Sequence, residues 1–325
     1  MRNTLPCRQR SYPIRLAADY CEQYRFRLHW LKYLWERLGR EPALTVWDAA
    51  LRRAEAFPEL DELTERILAV DWQPLPAQDH VDIEGSISSS VAELFPVAFE
   101  GLDAAKARSM IDAMPPFPAL RARFPDLNVT RPITSYETIH LFFHDIAKLA
   151  EKLIELHGKR GELIAYDAML FAQVIDQKER LDASAYLQAK HARFQKGFED
   201  PTIFTAGLER KVVRASDKEL VWQVTQCEWA RYFRQHHPTV GSIISCTTDH
   251  ALYGSHNAHI RLQLTSTLME GHGVCNFRLY SIDDALIESG TRTEEPRLTS
   301  APQASPSSGD SSSPADDVSA VKDSR

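Results

Sequence analysis

No stretch of the chain approaches the ~20 consecutive apolar residues that a bilayer-spanning helix requires, so no membrane partner is expected. The basic N-terminus, MRNTLPCRQRSYPIRL, is not followed by the apolar run of a secretory signal, and a cytoplasmic address is the expectation. Charge of one sign is also missing as a block. Thirty-eight Lys and Arg stand against 45 Asp and Glu, for a net charge of −7, which argues against an electrostatic grip on nucleic acid. Cysteines are few: Cys7, Cys21, Cys227, Cys246 and Cys275 are odd in number, widely spaced and without a CxxC pair. Reduced thiols are therefore expected, not a disulfide framework. Neither repeats nor sustained heptads are present.

What remains is a chain of 325 residues with 43% hydrophobic and 26% charged residues, globular proportions that allow one large domain or two modest ones. Helical spacing of apolar residues predicts helices over Ile14 to Leu38, Ala43 to Ala56, Leu60 to Val70, Val91 to Phe99 and Asp103 to Met114. The strongest pattern runs from Tyr136 to Leu156, where Ile139, Phe142, Ile146, Leu149 and Leu153 share one side. A further long helix or helix pair is predicted from Gly161 to Phe194. From Leu208 the period becomes two, predicting a hairpin, a helix over Glu228 to His236, and two strands over Ile260 to Leu268 and Val274 to Tyr280. The expected fold class is α+β: a mainly helical region 1–200, an antiparallel β-β-α-β-β unit over 201–287, and a Ser- and Pro-rich tail over 288–325 that is expected to be disordered.

Several constellations can carry chemistry. His140 and His144 have the i, i+4 spacing of a helical zinc pair but fall beside Glu137, Lys148, Glu151 and Glu155, so a solvated face is expected. Cys246, His250, His272 and Cys275 are zinc-type ligands at spacings that match no common framework. Alternation along the last two strands puts Leu264 beside Phe277 and Thr265 beside Asn276, with Gly271 in the connecting loop. One face then presents Gln263, Thr265, Thr267, Asn276 and Arg278, a polar strip in which Arg278 can grip a carboxylate. The opposing reading is a face turned to water. Cys227 stands where a strand hands over to a helix, a position that favours thiolate. Asp249, three residues after Cys246, is either a helix cap or a base beside a thiol.

The string from Cys227 to Tyr280 resembles the L-2-amino-thiazoline-4-carboxylic acid hydrolase family. The resemblance rests on Cys227 with Trp229 and Ala230, Cys246 with Asp249, Thr265 and Thr267 with Leu268, Gly271, and Cys275 with Arg278. LHWLKYLWERLG near the N-terminus is loosely similar to an early helix of the family. The resemblance implies a cofactor-independent hydrolase acting on a small cyclic amidine or thiazoline, with Cys246, Asp249 and Cys275 catalytic and with Cys227, Thr265, Thr267, Asn276 and Arg278 binding substrate. Two positions depart from the pattern: Leu264 where members commonly carry Arg, and Asn276 where they carry Asp. These motivate an alternative, a small-ligand binding or accessory protein that keeps the fold and has lost catalysis. The nucleophile, Cys246 or a water activated by Asp249, stays open.

Overall fold

The computed structural model describes residues 10–52, 58–174, 182–196, 207–250, 253, 257 and 259–282. The expected tail, 288–325, lies outside the described residues. The chain opens with strand β1 (Ser11–Arg15), then helices α1 (Leu16–Leu38), α2 (Arg40–Arg52) and α3 (Pro58–Ala69), strand β2 (Gln73–Pro74), helices α4 (Ile83–Leu94), α5 (Ala104–Asp112) and α6 (Phe117–Arg123), and strand β3 (Val129–Thr134). Helices α7 (Ser135–His157), α8 (Lys159–Val174) and α9 (Ala183–Lys196) follow. The C-terminal part runs β4 (Leu208–Ala215), β5 (Glu219–Cys227), α10 (Glu228–His236), a π-helical turn (Ser242–Thr247), β6 (Ile260–Ser266) and β7 (Cys275–Ser281). The structure is thus the α+β mix expected.

Helix α7 organises the first part. Thr134 caps it by accepting the Glu137 N–H, and Glu137 reaches back to accept the Thr134 N–H at 2.7 Å, so two otherwise orphaned amides are satisfied at once. Its apolar side, including Ile139, Phe142, Ile146, Leu149 and Leu153, packs into a core with Leu28, Trp30 and Trp35 of α1. Contrary to expectation the other side is not solvated: His140 and His144 are buried, as are Asp145 and Lys148, because α3 and α10 cover that face. A single-helix wheel cannot register a second layer of helix laid over the polar stripe.

Two local predictions also change. Ser11–Arg15 is a strand of a three-stranded sheet ordered β1-β3-β2, with Tyr12 and Ile14 turned inward, whereas the helix was expected to begin near Ile14. Five residues are too short for periodicity to separate strand from helix start. Helix α4 begins at Ile83, where Asp82 accepts the Gly85 N–H, and buries Ile87, Val91 and Leu94. Its Ser-rich first turns resemble a loop by composition and conceal that spacing.

The second sheet is antiparallel in the order β4-β5-β7-β6. Its inner face carries Leu220, Trp222, Val224, Leu262, Cys275 and Leu279, packed with Tyr186 and Leu187 of α9. Cys227 and Leu268 touch both this cluster and the helical core, so the seam between the two cores runs past the end of β5.

Candidate active site

Three thiols and one carboxylate meet at that seam. Cys227 closes β5 and caps α10, its Sγ accepting the Ala230 N–H at 3.3 Å. Cys275 opens β7 on the buried face, and its Sγ accepts the Leu268 N–H at 3.1 Å. Cys246 sits in the π-helical turn, with Ser245 Oγ 3.4 Å from its sulfur. A π-turn is rare and recurs at functional sites because it redirects one side chain out of helical register. Asp249 follows two residues after that turn and is half-buried.

Electrostatics confirm the closeness. Burial first, and then the Asp249 carboxylate and the thiols of Cys227 and Cys275, push the Cys246 thiol well above its ordinary range. Burial likewise raises Cys275, with Asp249 and Glu270 adding to it. Cys246 is therefore a neutral S–H at physiological pH, a proton donor and not a ready thiolate. Burial pushes the Asp249 carboxyl up to about 7, opposed only by the ammonium of Lys190 on α9. A carboxyl poised near neutrality can both take and return a proton.

Residues beyond the motif complete the surroundings. Tyr253 is raised by burial and then by Asp249, and Lys190 Nζ lies over its ring at 4.8 Å. Trp222 stacks on Phe277 at 4.8 Å and meets Tyr253 edge-on at 6.4 Å, an aromatic group within the second core. Arg210 on β4 is half-buried, lies over the Phe194 ring at 4.3 Å and makes no ion pair among the described residues. Its guanidinium is lowered by burial and sensed by Tyr253, with Arg193 and Arg10 adding positive charge. Nothing in the pattern of α9 or β4 distinguishes Lys190 or Arg210 from ordinary surface cations. Only the fold brings Lys190 to Asp249 and Arg210 to Tyr253.

The polar strip does not join this group. A bulge between Leu264 and Ser266 leaves Leu264 opposite Phe277 as expected but pairs Asn276 with Ser266, not Thr265. Thr265 and Arg278 are exposed on the outer face, opposite Cys275. Arg278 donates to Glu219 at 2.9 Å, and Asn276 is held between Gln223 at 3.0 Å and Ser266 at 2.8 Å. The same bulge turns Thr267 inward, where its hydroxyl donates to Glu270 at 2.9 Å and accepts the Glu270 N–H, fixing the turn that ends at Gly271 with φ of +91°. Of the residues singled out in the sequence, Cys227, Cys246, Cys275 and Asp249 come together; Thr265, Asn276 and Arg278 lie apart. Asn276, one of the two departures from the family pattern, thus faces away from the thiols, whereas Leu264 lies on the inner face beside Phe277. Arg278→Gln is accordingly expected to leave kcat/KM within about twofold of the parent, checked by steady-state assay.

The second metal set is also dispersed. His250 Nδ1 donates to the Leu262 carbonyl at 3.2 Å, and burial holds its imidazole below the ordinary value. Among the described residues no group of three His, Cys, Asp or Glu is placed to hold a metal ion. No described helix is long and apolar enough to cross a membrane.

Neither the curated proteins nor the solved structures contain a match to this chain. A family model does match, from Ser135 at the start of α7 to Leu279 in β7, and so spans every member of the thiol and carboxylate cluster. By that match residues 135–279 are similar to the L-2-amino-thiazoline-4-carboxylic acid hydrolase family.

Proposed function

We propose that the protein opens a small thiazoline or cyclic amidine carboxylate with water, and that Asp249 is the proton carrier of the reaction. The observation that carries this reading is a half-buried carboxyl brought to about 7 within electrostatic reach of the Cys246 and Cys275 thiols, both raised by burial. In 2-amino-thiazoline-4-carboxylate, the ring carbon between nitrogen and sulfur is the electrophile. Asp249 takes a proton from water as its oxygen bonds to that carbon. The neutral thiol of Cys246 donates a hydrogen bond to the tetrahedral centre. The carbon–sulfur bond then breaks, sulfur leaves as a thiol with the proton returned by Asp249, and the second proton of the water ends on the ring nitrogen. The product, N-carbamoyl-cysteine, is the substrate plus one water.

Arg210 supplies the carboxylate grip that the sequence assigned to Arg278, since it is a half-buried guanidinium within electrostatic reach of Tyr253, which in turn senses Asp249, and it has no ion-pair partner among the described residues. Incubation of the full chain with 2-amino-thiazoline-4-carboxylate, followed by mass spectrometry, tests the reading. A gain of one water that requires the protein supports it. Saturable binding without that gain assigns the chain to the accessory role instead.

A further inference from the structure

The buried face of α7 holds a second constellation that the thiol chemistry does not use. A cavity of about 220 Å³ lies between α3, the segment from Pro115 to Ala119 and α7. Its apolar wall includes Pro115, Pro116 and Pro118, and its polar wall includes His144, Asp145 and Lys148. A water molecule takes about 30 Å³, so the space suits a ligand of a few heavy atoms and not a large cofactor.

His144 is the informative residue. It is 6% exposed, and its Nε2 is buried with no hydrogen-bond partner. The rest of its ring is committed. Glu151 lies 3.1 Å from His237 Nδ1, so that nitrogen carries a proton, and His237 Nε2 faces His144 Nδ1 at 2.6 Å. Tyr232 gives its hydroxyl proton to His140 Nδ1 at 3.0 Å, and His140 Nε2 donates to Thr64 at 2.9 Å. The hydroxyl oxygen of Tyr232 then accepts from His144 Nδ1, 3.3 Å away. This assignment places the one His144 proton on Nδ1 and leaves Nε2 as a buried acceptor on the cavity wall. An imidazole backed in this way by a second imidazole and a carboxylate is an oriented proton acceptor.

Charge points to the other half of the ligand. Arg27 is fully buried but donates to the carbonyls of Phe142 at 2.8 Å and Gln23 at 3.1 Å, not to a carboxylate. Asp145 is sensed by both Arg27 and Lys148, and Lys148 Nζ is 3.6 Å from it. Two buried cations therefore share one buried carboxylate. The remaining acids nearby are Glu65, exposed at the rim, and Glu151, engaged by His237. A buried charge without a counter-charge is costly, and an anionic ligand would complete the balance.

We propose that this cavity binds a small carboxylate carrying an N–H or O–H donor beside its acid group, a 2-amino or 2-hydroxy acid, with the carboxylate on Lys148 and the donor on His144 Nε2. The site is independent of the reaction proposed at the thiol cluster.

Calorimetry on the full chain with alanine, lactate and propionate as probes, together with ¹⁵N spectra of the histidine rings, tests it. Alanine or lactate should bind saturably and at least about tenfold more tightly than propionate, which lacks the donor. The Nε2 resonance of His144 should shift on binding. Lys148→Met should weaken binding by about tenfold or more. Ala119→Phe, which fills the cavity without touching the polar network, should do the same if Lys148→Met does not fold. Absence of saturable binding by all three probes, equal binding of lactate and propionate, or unchanged affinity in the folded variants would overturn the proposal.

Discussion

Asp249→Asn is expected to lower turnover of 2-amino-thiazoline-4-carboxylate by about 10²–10⁴-fold, the usual worth of a positioned acid–base group, while making the protein more stable. The two effects share one cause. Burial raises the Asp249 carboxyl from 3.8 to about 7, so the folded state holds its proton more tightly than the unfolded chain does. By linkage, folding loses stability as pH rises from about 4 to about 7 and recovers none above that. The upper bound on that loss is about 4 kcal/mol. Because the residue keeps some access to solvent, a gain of about 1–2 kcal/mol in the neutral amide variant is expected at pH 8. Denaturant unfolding at pH 8 and pH 4 checks this, since the gain should shrink at the lower pH. A variant that is both inactive and destabilised would identify Asp249 as a structural cap instead.

The second large effect concerns Arg210. Arg210→Met keeps the aliphatic stem that packs near Phe194 but removes the charge. If the guanidinium holds the substrate carboxylate equally in the ground state and the transition state, KM should rise by about 10- to 100-fold with kcat little changed. Arg210→Lys should recover only part of the loss, because an ammonium cannot reproduce a bidentate grip. Unchanged KM in Arg210→Met would return the carboxylate to another cation, Lys190 first.

Much of the fold was legible because long amphipathic segments announce themselves. The apolar stripe of α7 and the alternation in β5, β6 and β7 each bury the side that their spacing selects. Short elements were not. Ser11–Arg15 has only two inward residues, and the Ser-rich start of α4 conceals Ile83 and Ile87. The site divides the same way. Cys227, Cys246, Asp249 and Cys275 stood out as motif residues, and the chain folds them together. Thr267 and Thr265 could not be sorted, because a single bulged residue exchanges the two faces of a strand and leaves no mark in composition. Lys190 and Arg210 were invisible for a different reason: their importance comes from where α9 and β4 dock, which is a long-range property. His140 and His144 were read as solvated because a wheel knows nothing of α10, whose Tyr232 and the adjacent His237 meet them in the interior.

The most direct test of the central claim, a carboxyl poised near neutrality that activates water beside protonated thiols, is the pH dependence of kcat/KM for 2-amino-thiazoline-4-carboxylate. Asp249 must be ionised to accept a proton from water, so the rate should climb as pH rises, bend near 7 and reach a plateau above it. A profile that keeps rising through pH 9, as an attacking thiolate with a raised pKa would give, contradicts the account.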